Sequence, residues 1–457
     1  MGRTVVAILE GVSTSLVERW MPIGALPSFK ALADHGTMGA FKSVPVPYEG
    51  PALVSSFTGV PPGEHGCFSY WHVHGTTYGE APRVIAADDI TAPFLWQTPA
   101  AAALRVGIVN LFGTHPPSPV HGHLISYPFY PTVRASYPQR LLRELSQAGI
   151  RYGHDVSALY TGTPREEFYQ LIERVESARM QACFNILERG ADLCVFNITM
   201  IDRLSHFWWS EVEANSGMAD DETILWRAYQ MADRFIAQLM DTLGPEDTLI
   251  VFSEIGFGPL VCYVSVNEIL RQAGLLAQAE ESVDPTSTIA MEAVQGSHGI
   301  NLNLRQRYPN GLISDAEEAA QRHEVRAVLL AAINPDTRRP LFKEVVDGQA
   351  LYPGSQAGQA PDLVLVPEDE RYLPLGDPYW ANKVHRHLQT GWHRCNSFWA
   401  GLGPRFSSRT TGRESACMDI AQTIADCLGL PPPSSFGSSL ASASSSAVVD
   451  RYVNSLP

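Results

Sequence analysis

Three acidic residues occupy places where a carboxylate can do chemistry. Glu10 follows the apolar run Val5–Leu9, Glu254 follows Thr248–Ser253, and Asp202 lies shortly after Leu193–Ile198. Runs of this kind read as buried parallel strands, and in such sheets ligands collect at the carboxyl ends of the strands. His206 stands four residues after Asp202. On a helical turn that spacing puts both side chains on one face, able to chelate one divalent ion. By itself Asp-x-x-x-His also describes an ordinary pair on a helix surface. A third donor is available at His393, within Gly391-Trp392-His393-Arg394, and an Asp-His-His set accepts zinc, manganese or iron. The nearby His385 and His387 read as loop histidines.

Glu49 precedes Gly50-Pro51, a pair that should open a helix. Pro suits the first helical turn and a negative charge is favoured at that end, so Glu49 is either a cap or a group aimed at the reacting atoms. Arg203 and Arg394 flank presumed ligands and suit a bidentate clamp on an oxyanion, or else surface ion pairs. His298 precedes the strand Ile300–Leu304 and is a candidate substrate contact. Trp208 and Trp209 read as packing, as does His65 in its turn-rich stretch.

These residues need a scaffold. Val5–Leu9, Val106–Leu111, His123–Ser126, Leu193–Ile198, Thr248–Phe252, Ile300–Leu304 and Leu363–Val366 read as buried strands, with helices over Glu166–Glu188 and Asp221–Leu243 between them. Such alternation predicts an α/β fold, a doubly wound and mostly parallel sheet flanked by helices. Phe168, Leu171, Ile172 and Val175 form an apolar stripe at helical spacing, which reads as core. Residues 265–390 are richer in Pro and less periodic, so the expected division is a core over 1–264, a smaller cap or insertion over 265–390 and a return to the core over 391–430. The Pro-, Ser- and Ala-rich 431–457 reads as a flexible or loosely packed tail.

Composition narrows the partners. Over 457 residues, 33 Lys and Arg face 48 Asp and Glu, a formal charge of −15. An acidic surface repels phosphate backbones, which argues against a nucleic-acid polymer and leaves a small anionic molecule as the expected substrate. Seven scattered cysteines without a CxxC pair argue for reduced thiols. The opening apolar run is strand-sized, without a cleavage-site pattern, and no run approaches a membrane span. A cytoplasmic protein that does not use a membrane is expected, with no oligomeric signature.

Taken together, Ile8-Leu9-Glu10-Gly11, Leu26-Pro27-Ser28-Phe29, Thr58-Gly59, Pro62-Gly63-Glu64-His65-Gly66, Asp202-Arg203-Leu204-Ser205-His206, Ser253-Glu254-Ile255-Gly256-Phe257-Gly258, Ala360-Pro361-Asp362 and Gly391-Trp392-His393 resemble the alkaline phosphatase superfamily. The resemblance is to its type I phosphodiesterase/nucleotide pyrophosphatase branch, including the predicted phosphohydrolase/phosphomutase group. It implies an alkaline phosphatase-like fold and two zinc-type ions. One ion would be held by Asp202, His206 and His393, all present. The other belongs, in the family, to an Asp after the first strand, an adjacent Asp-His pair and a nucleophilic Ser or Thr. Here those positions carry Glu10, Glu254-Ile255 and Glu49.

Glu49 has no hydroxyl and Ile255 no lone pair, so the family's covalent phospho-threonine route is closed. Three of the four replacements are glutamates. Each pair of bare carboxylates about 5 Å apart repels by about 3 kcal/mol at an effective dielectric of about 20. Either a cation fills the gap or protons stay on with raised pKa. Three functions are compatible with this. The first is a metal-dependent enzyme for a phosphate or sulfate ester or a nucleotide-like molecule, in which Glu49, Glu10 or Glu254 acts as general base or as an unusual ligand, Glu49 standing at the catalytic position. The second is a carboxylate-rich di-iron or di-manganese enzyme, and the third a binding protein without turnover.

Overall fold

The structure is a computed structural model and describes residues 2–279, 282–375, 386–406, 409–410 and 414–441. The chain forms two compact units: residues 1–61, 86–259 and 388–457 make the first, and residues 62–85 and 260–387 the second.

The first unit is built on one ten-stranded sheet. Its strands are β1 (Thr4–Leu9), β2 (Thr37–Lys42), β3 (Val106–Leu111), β4 (Gly122–Ser126), β5 (Ser136–Tyr137), β6 (Leu193–Ile198), β7 (Thr248–Phe252), β10 (Asn396–Leu402), β11 (Arg409–Thr410) and β12 (Ser415–Ala416). A separate antiparallel pair joins β8 (Gly256–Pro259) to β9 (Gly391–Arg394). The sheet runs β11-β2-β10-β7-β1-β6-β3-β4-β5, with β12 also on β2. Strands β7, β1, β6, β3 and β4 are mutually parallel, whereas β10 and β5 run antiparallel to their neighbours.

Alternation along β1 explains the layering. Val5, Ala7 and Leu9 join the core built with helices α3 (Arg165–Glu188) and α5 (Ile224–Thr242). On β7, Phe252 meets Phe57 of helix α2 (Glu49–Thr58) at 6.2 Å between ring centroids. Helices thus cover both faces of a mostly parallel sheet, as the strand–helix alternation requires.

The second unit has its own four-stranded antiparallel sheet, in which Ala290–Glu292, Gly299–Leu302, Leu363–Pro367 and Phe342–Asp347 are neighbours in that order. The predicted strands near 300 and 363 belong to this sheet. Its core includes Val266, Leu270, Ile300, Leu302, Val325 and Leu329, all fully buried. Residues 62–85, which the sequence places in the larger core, join this unit through side-chain bonds. Tyr78 Oη donates to the Asn301 carbonyl at 2.8 Å, and Asn301 Nδ2 donates to the Val73 carbonyl at 2.7 Å.

The first part of the expected tail is held down. The Ser438 amide donates to Asp419 Oδ1 at 2.8 Å and Leu440 is buried. Residues 442–457, like His385, lie outside the described residues. No helix among the described residues is long and apolar enough to cross a membrane. All seven cysteines are free thiols.

Candidate metal centre

Five chain segments supply the candidate residues: the loop after β1, the start of α2, the helix after β6, the loop after β7 and strand β9. Glu10 leaves β1, with its amide bonded to the Ile198 carbonyl at 3.0 Å. Helix α4 (Met200–Trp208) begins two residues past β6 and carries Asp202 and His206 one turn apart. Its Asp202 amide donates to the Glu10 carbonyl at 3.1 Å, so the two loops touch through their backbones. Gly11 permits this approach: it sits at φ +80°, and a Cβ there would come within 2.9 Å of Asp202 Cα. Pairing of β9 with β8 sets His393 opposite Phe257. Gly391 lets that strand lie against α4, because a Cβ would meet the Ser205 carbonyl oxygen at 2.4 Å.

The result is a nearly equilateral triangle. His393 Nε2 lies 3.3 Å from Asp202 Oδ1 and 3.3 Å from His206 Nε2, and the third edge, His206 Nε2 to Asp202 Oδ1, is 3.5 Å. Asp202 and His393 are buried and His206 is 9% exposed. His206 Nδ1 faces the Gly391 carbonyl at 3.3 Å, and His393 Nδ1 faces Glu49 Oε2 at 3.5 Å. Each acceptor favours the tautomer with its proton on Nδ1, which leaves both Nε2 lone pairs pointing at the shared space. Asp202 Oδ1 has no hydrogen-bond partner. Two lone pairs and a carboxylate oxygen converging on one point are the donor set of a divalent metal, and these residues fit one.

Burial works to raise the Asp202 carboxyl, but the two imidazoles outweigh it and hold the group well below the usual carboxylate range. For His393 burial works downward, and Glu49 with Asp202 pull the imidazole above its ordinary value.

The remaining carboxylates form a different environment. Glu49 opens helix α2 at its first position and is 6% exposed. Glu10 and Glu254 are buried. Asn197 Nδ2 donates to Glu10 Oε2 at 3.0 Å, while Glu10 Oε1 has no partner. Neither oxygen of Glu254 is hydrogen-bonded by any group beyond its own backbone. Burial pushes the Glu10 carboxyl well up, and Glu254, Asp202 and Glu49 add to it. Glu254 is raised likewise, first by burial and then by Glu49 and Asp202. Among the described residues only Asp202, His206 and His393 form a convergent metal-ligand group, so Glu10 and Glu254 share the neighbourhood without joining that set.

The other predicted contacts are occupied elsewhere. Arg203 donates to Tyr127 Oη at 2.9 Å and to Asp155 Oδ2 at 2.5 Å. Arg394 donates to the carbonyls of His393 at 2.9 Å and Trp392 at 3.2 Å, and to that of Pro259. Both guanidinium groups are engaged by the protein itself. His298 belongs to the second unit, where its carbonyl accepts the Leu365 amide at 2.9 Å. Trp209 stacks on Phe257 and Trp208 packs on Phe168, in keeping with packing roles.

Two sets of residues escaped the sequence reading. Asn110 and Asn197 occupy corresponding places on the paired strands β3 and β6, and both are fully buried. Their signal was an amide near the end of an otherwise apolar strand. The second set is Asp155, Glu176, Arg179 and Thr199. Arg179 Nη1 donates to Glu176 Oε1 at 2.5 Å and to Thr199 Oγ1 at 3.0 Å, and its Nη2 donates to Asp155 Oδ1 at 2.6 Å. Thr199 is the N-cap position of α4, and its amide donates to Glu176 Oε1 at 3.1 Å. Through Thr199 and Arg203 this buried network fixes the helix that carries two of the three metal-ligand candidates.

A helix-flanked, mostly parallel sheet with this ligand set at its carboxyl edge is the alkaline phosphatase-like architecture. Residues 4–393 match the profile of the type I phosphodiesterase/nucleotide pyrophosphatase family, and the chain belongs to that family. A solved structure of similar fold is the phosphonoacetate hydrolase from Sinorhizobium meliloti 1021 in complex with phosphonoacetate. The TM-score is 0.58 at 15% sequence identity, over 95% of this chain and 96% of that one. No curated protein sequence matches.

Proposed function

We propose that this chain is a single-ion metallohydrolase for a small phosphate, phosphonate or sulfate ester, working without a hydroxyl nucleophile. The observation that carries the reading is the triangle of 3.3, 3.3 and 3.5 Å between the Asp202, His206 and His393 donor atoms. Tetrahedral zinc with bonds of about 2.0–2.1 Å has donor–donor edges of about 3.3–3.4 Å, so zinc is the ion this triangle suits. A zinc ion bound there supplies Lewis acidity toward the substrate oxyanion and lowers the pKa of a coordinated water.

The chain's own residues do the rest. His206 turns its Nε2 lone pair inward because the Gly391 carbonyl accepts its Nδ1 proton, and Glu49 Oε2, 3.5 Å from His393 Nδ1, draws the His393 proton to the outer nitrogen. Glu49 stands where the family has its nucleophile. It orients His393 and acts as general base toward water, so no phospho-threonine forms. Asp202, kept ionised, balances part of the ion's charge. The free thiols fit a reducing compartment, which supports the cytoplasm.

The test is metal analysis after dialysis against zinc, followed by turnover of p-nitrophenyl phosphate, its diester and the sulfate. About one ion per chain and metal-dependent hydrolysis that Glu49→Ala abolishes are expected from a three-ligand site with one base. A protein that retains no divalent ion sinks the reading. Retention of the ion without turnover, with ligand affinity unmoved by Glu49→Ala, replaces it by a binding protein.

A further inference from the structure

The family's second ion does not fit the residues present. Ile255 offers no donor, Glu49 replaces the hydroxyl, and Glu10, Glu49 and Glu254 join no convergent donor group among the described residues. What these positions offer instead is a set of unpaired oxygens. Glu254 is 0% exposed and Glu10 1%. Glu254 Oε1, Glu254 Oε2, Glu10 Oε1 and Glu49 Oε2 lack any hydrogen-bond partner outside the Glu254 backbone itself. An acceptor buried in this way costs free energy until a donor reaches it.

The protein supplies no cation here. Among the described residues no Lys or Arg pairs with Glu10, Glu49 or Glu254. The guanidinium of Arg203 belongs to a cluster in which Arg179 and Arg203 offset Asp155 and Glu176. Tyr48 and Tyr127 are buried phenols whose pKa values burial pushes up, so they stay neutral. If one divalent ion fills the triangle, the four carboxyl groups of Glu10, Glu49, Asp202 and Glu254 can bring more negative charge than its two positive charges offset. An incoming phosphate dianion enlarges that imbalance unless it brings a positive charge with it.

We infer that the substrate carries a primary ammonium beside its phosphoryl or sulfuryl group, and that Glu10 and Glu254 receive it where the family holds a second metal. A primary ammonium has three N–H donors and no acceptor, which suits these orphaned carboxylate oxygens in kind. A trimethylammonium has the charge without the donors and leaves those oxygens unpaired. This inference rests on the proposed hydrolase reading and narrows its substrate class to zwitterionic esters.

The experiment uses the full chain loaded with zinc. Calorimetry compares ω-aminoalkyl phosphates of two to four carbons with n-alkyl phosphates of equal length and with choline phosphate, and elemental analysis counts ions in parallel. One amine of the series should bind at least about tenfold tighter than both counterparts. Glu254→Gln and Glu10→Gln should each erase that preference while ion content stays the same, with melting curves establishing that each variant folds. Equal binding of amines and alkyl counterparts at every length overturns the inference. So does a second ion per chain whose uptake Glu254→Gln removes. If the wild-type chain keeps no ion at all, it is the hydrolase reading that falls, and the amine-against-alkyl comparison on the same protein still decides this one.

Discussion

The two halves of the site solve the problem of buried charge in opposite ways. In the triangle, two of the three donors are imidazoles whose outer nitrogens face a carbonyl at 3.3 Å and a carboxylate at 3.5 Å, so the inner lone pairs carry no formal charge. Only Asp202 is anionic there, and two rings surround it. The glutamate pocket has no such neutral donors: Glu10 and Glu254 repel each other, and burial discourages ionisation of both. The triangle is therefore assembled before a ligand arrives, whereas the pocket becomes anionic only in exchange for a cation. Binding of a cation should release protons at both halves, from Glu10 and Glu254 at the second and from His393 at the first.

The sharpest way to break this contrast is His206→Ala. It should take the bound ion from about one per chain to none. It should also cancel the stabilisation that the ion gives the parent, about 4 kcal/mol at a thousandfold excess over Kd. Elemental analysis and chelator-dependent melting read both effects. Were the variant to keep its ion, the glutamates would be ligands and the two halves would be one site.

Next in size is the support beneath the triangle. Arg179 is fully buried between Asp155 and Glu176. Arg179→Met leaves Glu176 without a cation and Asp155 with Arg203 alone, and should cost about 3 kcal/mol in a denaturant titration. The exposed Arg227–Glu166 pair is the control, and Arg227→Met should cost at most about 1 kcal/mol. Equal losses would show that the network does no more for α4 than a surface contact.

A smaller effect is expected at the junction of the two halves. Glu49→Gln should weaken zinc binding about tenfold, as outer-shell carboxylate replacements do. Competition with a chromogenic chelator measures it, and unchanged affinity would detach Glu49 from the triangle.

The smallest effect is a pH dependence of the metal-free protein. The Glu254 carboxyl is raised above its ordinary 4.5 in the fold. A raised carboxyl favours the folded state fully below its unfolded pKa, and that contribution is lost as pH rises through the folded value. Glu254→Gln lacks this loss. Its melting temperature should gain on the parent by about 1–2 °C between pH 5 and pH 8. A gap that shrinks over that interval would mean that Glu254 is ionised and paired in the fold.

Much of this was legible in the sequence where the signal is local. Strands β3, β6 and β7 carry mostly apolar runs, and their bounds match the structure to the residue. Asp202 and His206 share one helical turn, and family motifs brought His393 to them across a long gap. Strands β2 and β10 escaped notice because Gly39, Gly401 and Asn396 dilute their pattern, and their identity as strands comes from pairing with each other. The Asp155–Arg179 network left a subtler trace. Arg179 falls four residues after Val175 on the same stripe as Phe168 and Ile172, where an arginine is out of place unless paired. Reading the stripe as plain core hid that. The partner of Arg203 is not legible for a related reason: Asp155 is distant in sequence and no spacing rule connects them.

The distance along the chain between His206 and His393 has one more consequence. They are 187 residues apart, yet their rings meet. An ion seated between them acts as a clasp, fastening the closing strand β9 onto a helix made long before it. Closing a loop of that size is entropically costly before any contact rewards it. The metal-loaded chain should thus unfasten slowly at this seam, while the stripped chain should offer a protease its first cut near residues 388–394.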